Sequence, residues 1–128
     1  MYKNIIALND SEYDFVEVEK LVQKLEMNDI FANHAYGIHS KLSENALNLS
    51  GGQRQKLSLL RALIKKPKVL VLDEATSNLD LNSEKKVIDY LLSLKDTTVI
   101  FISHKKYLND RFDKVYEFNN GKLIEQGV

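Results

Sequence analysis

Asp73 and Glu74 stand side by side directly after the aliphatic run Val69-Leu70-Val71-Leu72, and His104 follows a second apolar run, Val99 to Ile102. In an open α/β sheet, ligands bind beyond the carboxyl ends of the strands, so these three side chains would share one edge. An apolar strand ending in Asp suits magnesium, which takes few carboxylates and keeps its other positions for water and phosphate oxygens. A neighbouring glutamate can polarise an attacking water. The stretch Asn48-Leu49-Ser50-Gly51-Gly52-Gln53-Arg54 poses a different question, because two glycines open a strong helical pattern. Each costs about 1 kcal/mol against alanine in a helix interior. Ser50 and Gln53 fit an S-x-x-Q capping box, which would make the glycines part of a tight turn. Equally, glycines let backbone N–H groups press against an anion at the positive end of the helix. The seven residues alone leave both readings open.

These groups need elements to hold them. Val18, Leu21, Val22 and Leu25 recur with helical spacing and predict an amphipathic helix over 11–25. A polar, irregular stretch at 33–48 follows, and His34 and His39 within it read as structural. The helix after Ser50 runs through Leu57, Leu60 and Ile64 and stops before Pro67, the only proline. Lys65, Lys66 and Lys68 read as a solvated helix end that complements the dipole. Residues 1–66 therefore look mainly helical. Residues 67–128 alternate. The run 69–74 predicts a strand buried on both faces, as in a parallel sheet. A helix with Val87, Ile88, Leu91 and Leu92 on one side follows, then a second strand in 97–104 and a short polar helix. Asn120-Gly121 between alternating segments signals a hairpin. Strand–helix–strand is a βαβ crossover, so the class is α/β with an antiparallel tail.

The composition is that of an ordinary globular chain, 44% hydrophobic and 28% charged over 128 residues. Eighteen basic and eighteen acidic residues cancel, which gives no reason to expect nucleic acid or an anionic membrane as partner. With no cysteine, disulfides and cysteine-ligated metals are excluded, and a reducing, cytoplasmic setting is expected. Apolar runs of about four residues fall far short of the ~20 that span a bilayer. The first fourteen residues are too acidic for a signal peptide.

Four motifs then fall in one order: "LSGGQ" at 49–53, "VLVLDE" at 69–74, "SNLD" at 77–80 and "ISH" at 102–104. Together they resemble the ATP-binding cassette (ABC) ATPases. The resemblance implies a partial P-loop NTPase fold, with a helical signature subdomain over about 1–66 and the C-terminal part of the RecA-like core over about 67–128. It implies that Leu49, Ser50, Gly51, Gly52 and Gln53 form the signature, which meets ATP held by the opposite subunit. Asp73 matches the Walker B aspartate that holds Mg²⁺ through water, Glu74 the catalytic glutamate, and His104 the switch histidine at the γ-phosphate. Ser77, Asn78, Leu79 and Asp80 match the D-loop. On this resemblance the glycine-opened helix is both capping box and anion site. The segment 42–53 is similar to the exporter pattern V-G-E-x-G-x-x-LSGGQ, with Glu44 in the acidic place and Ser43 and Ala46 replacing its glycines. That loop, in exporters, meets the transmembrane domain. Upstream, Gly37 and Ser40 fit the family's P-x-G-φ-D-T while Ala35 and His39 depart from it, and residues 2–5 resemble the segment after the Q-loop.

None of the five glycines, at 37, 51, 52, 121 and 127, belongs to a G-x-x-x-x-G-K-[ST] phosphate loop. The chain therefore reads as the C-terminal half of an exporter ATP-binding domain, inactive alone and needing a segment with that loop. In the family, the Walker A strand lies beside the strand at 99–102, so an unpaired edge is expected there. It would sit at the cytoplasmic face of a membrane only through its partners, a transmembrane domain and a second nucleotide-binding domain. A non-catalytic docking or regulatory module is the alternative, disfavoured by intact Glu74 and His104. A DNA-repair or chromosome ATPase of the same superfamily is another, disfavoured by the Glu44 loop and the absence of a coiled coil.

Overall fold

The computed structural model describes residues 14–32 and 49–127. Helix α1, Phe15–Lys24, starts where the Asp14 carboxylate accepts the Val16 N–H at 3.0 Å, so the described helix is capped by Asp14. It ends in a Schellman motif: Met27 N–H donates to Val22 O, and Glu26 N–H to Gln23 O, with Glu26 at φ 51°. The motif turns the chain back so that Met27 packs into the core, and a short helix α2, Asn28–Ala32, follows at once with Ile30 buried. The sequence pattern did not signal α2. Helix α3, Gly51–Ile64, begins at Ser50 and buries Leu57, Leu59, Leu60, Leu63 and Ile64. Lys66 ends it at φ 46°, and Pro67 offers no N–H to continue.

Strand β1, Val69–Asp73, crosses through helix α4, Leu81–Leu92, to strand β2, Thr98–Ile102. The strands pair in parallel from Val69 opposite Thr98 to Asp73 opposite Ile102, the expected βαβ unit. A 3₁₀ helix, Lys106–Arg111, leads to the hairpin of β3, Val115–Asn119, and β4, Lys122–Gln126. Asn120 and Gly121 both take positive φ, 49° and 76°, as a type I′ turn requires.

One buried cluster joins the helices α1 to α4 and strand β1, with Val99 and Phe101 of β2 packed against it, while the hairpin lies outside it. Val18 of α1, Leu25 at its C-cap, Leu60 of α3, Leu72 of β1 and Leu91 of α4 belong to it. The expectation that β1 is buried on both faces is corrected: Leu70 and Leu72 are buried, but Val69 and Val71 are 55% and 59% exposed. Ile100 and Ile102 of β2 lie bare as well, at 47% and 49%. The physical reason is coverage, because the described helices shield only the Leu70–Leu72 face. Leu92 of α4 is likewise half exposed, unlike Val87, Ile88 and Leu91. Within the described residues the sheets have two strands each, so β1 and β2 both keep an unpaired outer edge. No helix among them is long and apolar enough to cross a membrane.

A bare apolar face beside open strand edges favours association. The 128-residue chain is expected to sediment as more than a monomer. Ile100→Glu should shift it towards monomer while changing stability by no more than about 0.5 kcal/mol, whereas Leu70→Ala should cost about 2–5 kcal/mol. Sedimentation velocity with urea unfolding checks both.

Candidate functional site

The carboxyl ends of β1 and β2 bring two of the expected residues together. Glu74 N–H donates to Ile102 O at 3.1 Å, carrying the parallel ladder one residue past Asp73. There the backbone turns sharply, with Glu74 at φ 47°. A non-glycine residue in this region stores about 1 kcal/mol of strain, and it persists only where its surroundings hold it. The turn sends Glu74 Oε1 to 3.8 Å from His104 Nε2. That oxygen is buried and accepts no hydrogen bond, while the imidazole is almost wholly exposed. A buried carboxylate oxygen without a donor costs free energy, so its presence asks for a chemical reason. Asp73, next to it, is exposed at the strand end.

The capping box at the start of α3 is present in full. Gln53 N–H donates to Ser50 Oγ at 3.1 Å, and Ser50 N–H to Gln53 Oε1 at 2.9 Å. Leu49 O accepts from the Arg54 guanidinium. At the first two helical positions, the N–H groups of Gly51 and Gly52 have no carbonyl four residues behind them within the helix. The glycines have a further role that the sequence did not disclose. A Cβ on Gly52 would lie 2.8 Å from the carbonyl oxygen of Asn78 and 3.2 Å from Leu79 Cδ2, and one on Gly51 would lie 3.3 Å from Asn78 Cγ. The segment 77–80 therefore crosses the helix start at a distance only glycine permits.

Gln55 was also missed. Its Nε2 donates to Glu74 O at 3.1 Å and to Ser77 Oγ at 2.8 Å, and its Oε1 accepts Asn78 N–H at 2.9 Å. The available signal was its place four residues after Gly51, on the same helical face.

On the far side, Asp80 caps α4 by accepting from Ser83 N–H at 3.0 Å and Asn82 N–H at 3.1 Å; the Ser83 backbone bond foremost holds its carboxyl below the usual range. Glu84, only 1% exposed, accepts from Lys105 Nζ at 2.7 Å and from the hydroxyls of Thr76 and Tyr107. Burial pushes its carboxyl up, but the bonds from Lys105, Thr76 and Tyr107 together outweigh burial and lower it. The same carboxylate pushes Lys105 and Tyr107 up. Lys105 follows His104 and Thr76 follows Ala75, so one buried carboxylate ties the histidine loop to the segment after Glu74. Nothing in the local pattern marked Glu84.

Residues 2–77 match the sequence profile of the ABC transporter family. The chain belongs to this family. Among ABC transporter proteins it is similar to the pediocin PA-1 transport/processing ATP-binding protein PedD of Pediococcus acidilactici, 43% identical over 118 residues, which are 92% of this chain and 15% of that protein. It is 39% identical over 112 residues to the mesentericin-Y105 transport/processing ATP-binding protein MesD of Leuconostoc mesenteroides, covering 88% of this chain and 15% of that protein. Among solved structures, a bacterial Atm1-family ABC exporter with ATP bound superposes with a TM-score of 0.83 at 29% identity, over 98% of this chain and 22% of that one. The chain thus has the ABC ATPase fold and spans about 15% of the length of the curated relatives named here.

For an ABC family member, ATP with Mg²⁺ is the implied ligand. No group of three metal-ligating side chains exists among the described residues. A single exposed carboxylate, Asp73, fits an ion whose other positions are filled by phosphate and water. The orphaned Glu74 oxygen fits a group that awaits a proton-bearing partner. The Glu44 loop, Gly37, Ser40, His34 and His39 lie outside the described residues.

Gly52→Ala is expected to destabilise by about 1–3 kcal/mol, because backbone of Asn78 must move. Gly51→Ala meets only a side chain and should be close to neutral, since helix propensity repays about 1 kcal/mol. Urea unfolding of the two variants separates them. Glu84 gives a pH signature. Its folded value lies below the ordinary 4.5, so its contribution is present above pH 4.5 and is lost as pH falls through the lowered value. Melting temperatures taken from pH 6 down to pH 3 should therefore drop less steeply in Glu84→Gln than in wild type.

Proposed function

We propose that this chain forms the signature-bearing, C-terminal part of the ATP-binding domain of an ABC exporter, acting in ATP hydrolysis that drives transport. The observation that carries this reading is the buried, unpartnered Glu74 oxygen facing His104 beyond two parallel strands, in a chain similar to ATP-binding transport proteins. Glu74 is the water-orienting group: its carboxylate is preorganised by the left-handed turn and free of competing donors. His104, exposed beside it, is positioned to donate from its ring to a terminal phosphate. Asp73, exposed at the strand end, would hold the magnesium that accompanies the nucleotide, leaving the ion's other positions to water and phosphate oxygens. Mg-ATP, when bound, supplies the phosphoryl group and the charge these side chains act on.

 Ser50 keeps its hydroxyl hydrogen after accepting the Gln53 N–H, so it and the Gly51 and Gly52 N–H groups make an anion-facing set of donors at the helix start. In this reading that set serves a nucleotide of the opposite subunit, flanked by Ser77, Asn78, Leu79 and Asp80. A transmembrane domain met through the loop around Glu44, a second nucleotide-binding domain, and a place at the cytoplasmic face of the membrane complete the proposal.

The test uses a chimaera in which the segment of the pediocin transport protein that precedes its matched region is fused ahead of residue 2. Glu74→Gln should keep Mg-ATP binding and lower turnover by about 10²–10⁴-fold. Asp73→Asn should instead weaken magnesium-dependent binding. Turnover within about twofold of wild type in both variants would overturn the assignment. The 128 residues alone, with no phosphate loop in their sequence, should give no micromolar Mg-ATP affinity by calorimetry.

A further inference from the structure

Glu74 holds a strained backbone conformation without being glycine, and its carbonyl oxygen shows how. That oxygen accepts two hydrogen bonds, from Ser77 N–H at 3.1 Å within the turn and from Gln55 Nε2 at 3.1 Å across from α3. Gln55 is the one side chain among the described residues seen to bond the Glu74 backbone. Its amide is used at both ends, because Oε1 accepts Asn78 N–H at 2.9 Å while Nε2 also reaches Ser77 Oγ at 2.8 Å. The amide thus spans the turn from Glu74 to Asn78, and the contact of Gly52 with the Asn78 carbonyl presses the same turn against the helix.

We propose that Gln55 is a positioning residue for Glu74: through the Glu74 carbonyl it holds the left-handed turn that aims the carboxylate, and through Asn78 it fixes that turn to the start of α3. The inference rests on the reading of Glu74 as the water-orienting group. Without the donor, the turn can relax towards ordinary φ, and the carboxylate loses its aim while Asp73, Ser50 and the glycines stay in place. The effect should fall on turnover and not on nucleotide affinity.

Two variants divide the amide into its halves. Gln55→Glu keeps an acceptor for Asn78 N–H but loses the donor to Glu74. Gln55→Met keeps length and loses both. In the chimaera, both variants should lower kcat by about tenfold to a hundredfold, a cost typical of small misplacement. KM for ATP should stay within about twofold. Hydrogen exchange on the 128-residue chain provides the second readout. The Asn78 amide should exchange about tenfold faster in Gln55→Met than in wild type, and remain protected in Gln55→Glu. A residue that merely stabilised the loop would lose turnover only where protection is lost, so reduced kcat with a protected Asn78 in Gln55→Glu is the distinguishing result. A kcat within about twofold of wild type in both variants would overturn the proposal. Equal Asn78 exchange in wild type and Gln55→Met would also overturn it. A wild-type chimaera with no turnover would count against the role given to Glu74, and the exchange result would then decide alone whether Gln55 holds the turn.

Discussion

The carbonyl oxygen of Asn78 lies 2.8 Å from where a Cβ on residue 52 would stand, and that closeness sets how the candidate site is built. With the segment 77–80 drawn onto the start of α3, Gln55 comes within reach of Glu74, Ser77 and Asn78 at once. Glu74 can then hold its turn, and its carboxylate faces His104. Beside this contact, Ser50 and Gln53 close the capping box on the helix end. A single larger side chain at 52 would disturb each of these in turn.

The opposite flank of this segment is held by charge. Glu84 is buried with Lys105, Thr76 and Tyr107 arranged around it, each from a different point along the chain. A buried ion pair adds little net stability over well-packed apolar groups, but breaking one partner is costly. Its value here is geometrical: the loop bearing His104 and the segment following Glu74 share one anchor. Packing fixes one side of the site and a buried carboxylate the other.

Much of this was legible in the sequence where the interactions are local. The capping box at Ser50 and Gln53, the Asn120-Gly121 turn and the parallel pair flanking α4 all follow from residues close in the chain. The family was legible because four short motifs occur in a fixed order. What the sequence hid is non-local. Gln55 finds its partners 19 to 23 residues away, and Glu84 meets Lys105 over 21, so no local pattern could name the partners of either. The run Val69–Leu72 misled in a different way. Four consecutive aliphatics describe a strand suited to cover on both faces, but burial depends on what lies opposite, and the described helices cover one. Helix α2 escaped because five residues are too few to show a period.

Glu74 combines two costs in one residue, a backbone angle that favours glycine and a buried oxygen with no donor. Either cost could be relieved by a single exchange, to glycine for the angle or to an apolar side chain for the oxygen. Under the role proposed for Glu74, stability and chemistry pull this position in opposite directions. If the proposed role of Glu74 were lost in a lineage, position 74 would be among the first to drift, and the direction of drift would be towards a firmer fold. A glutamate kept there marks a chain whose local stability is held below what its own backbone would allow.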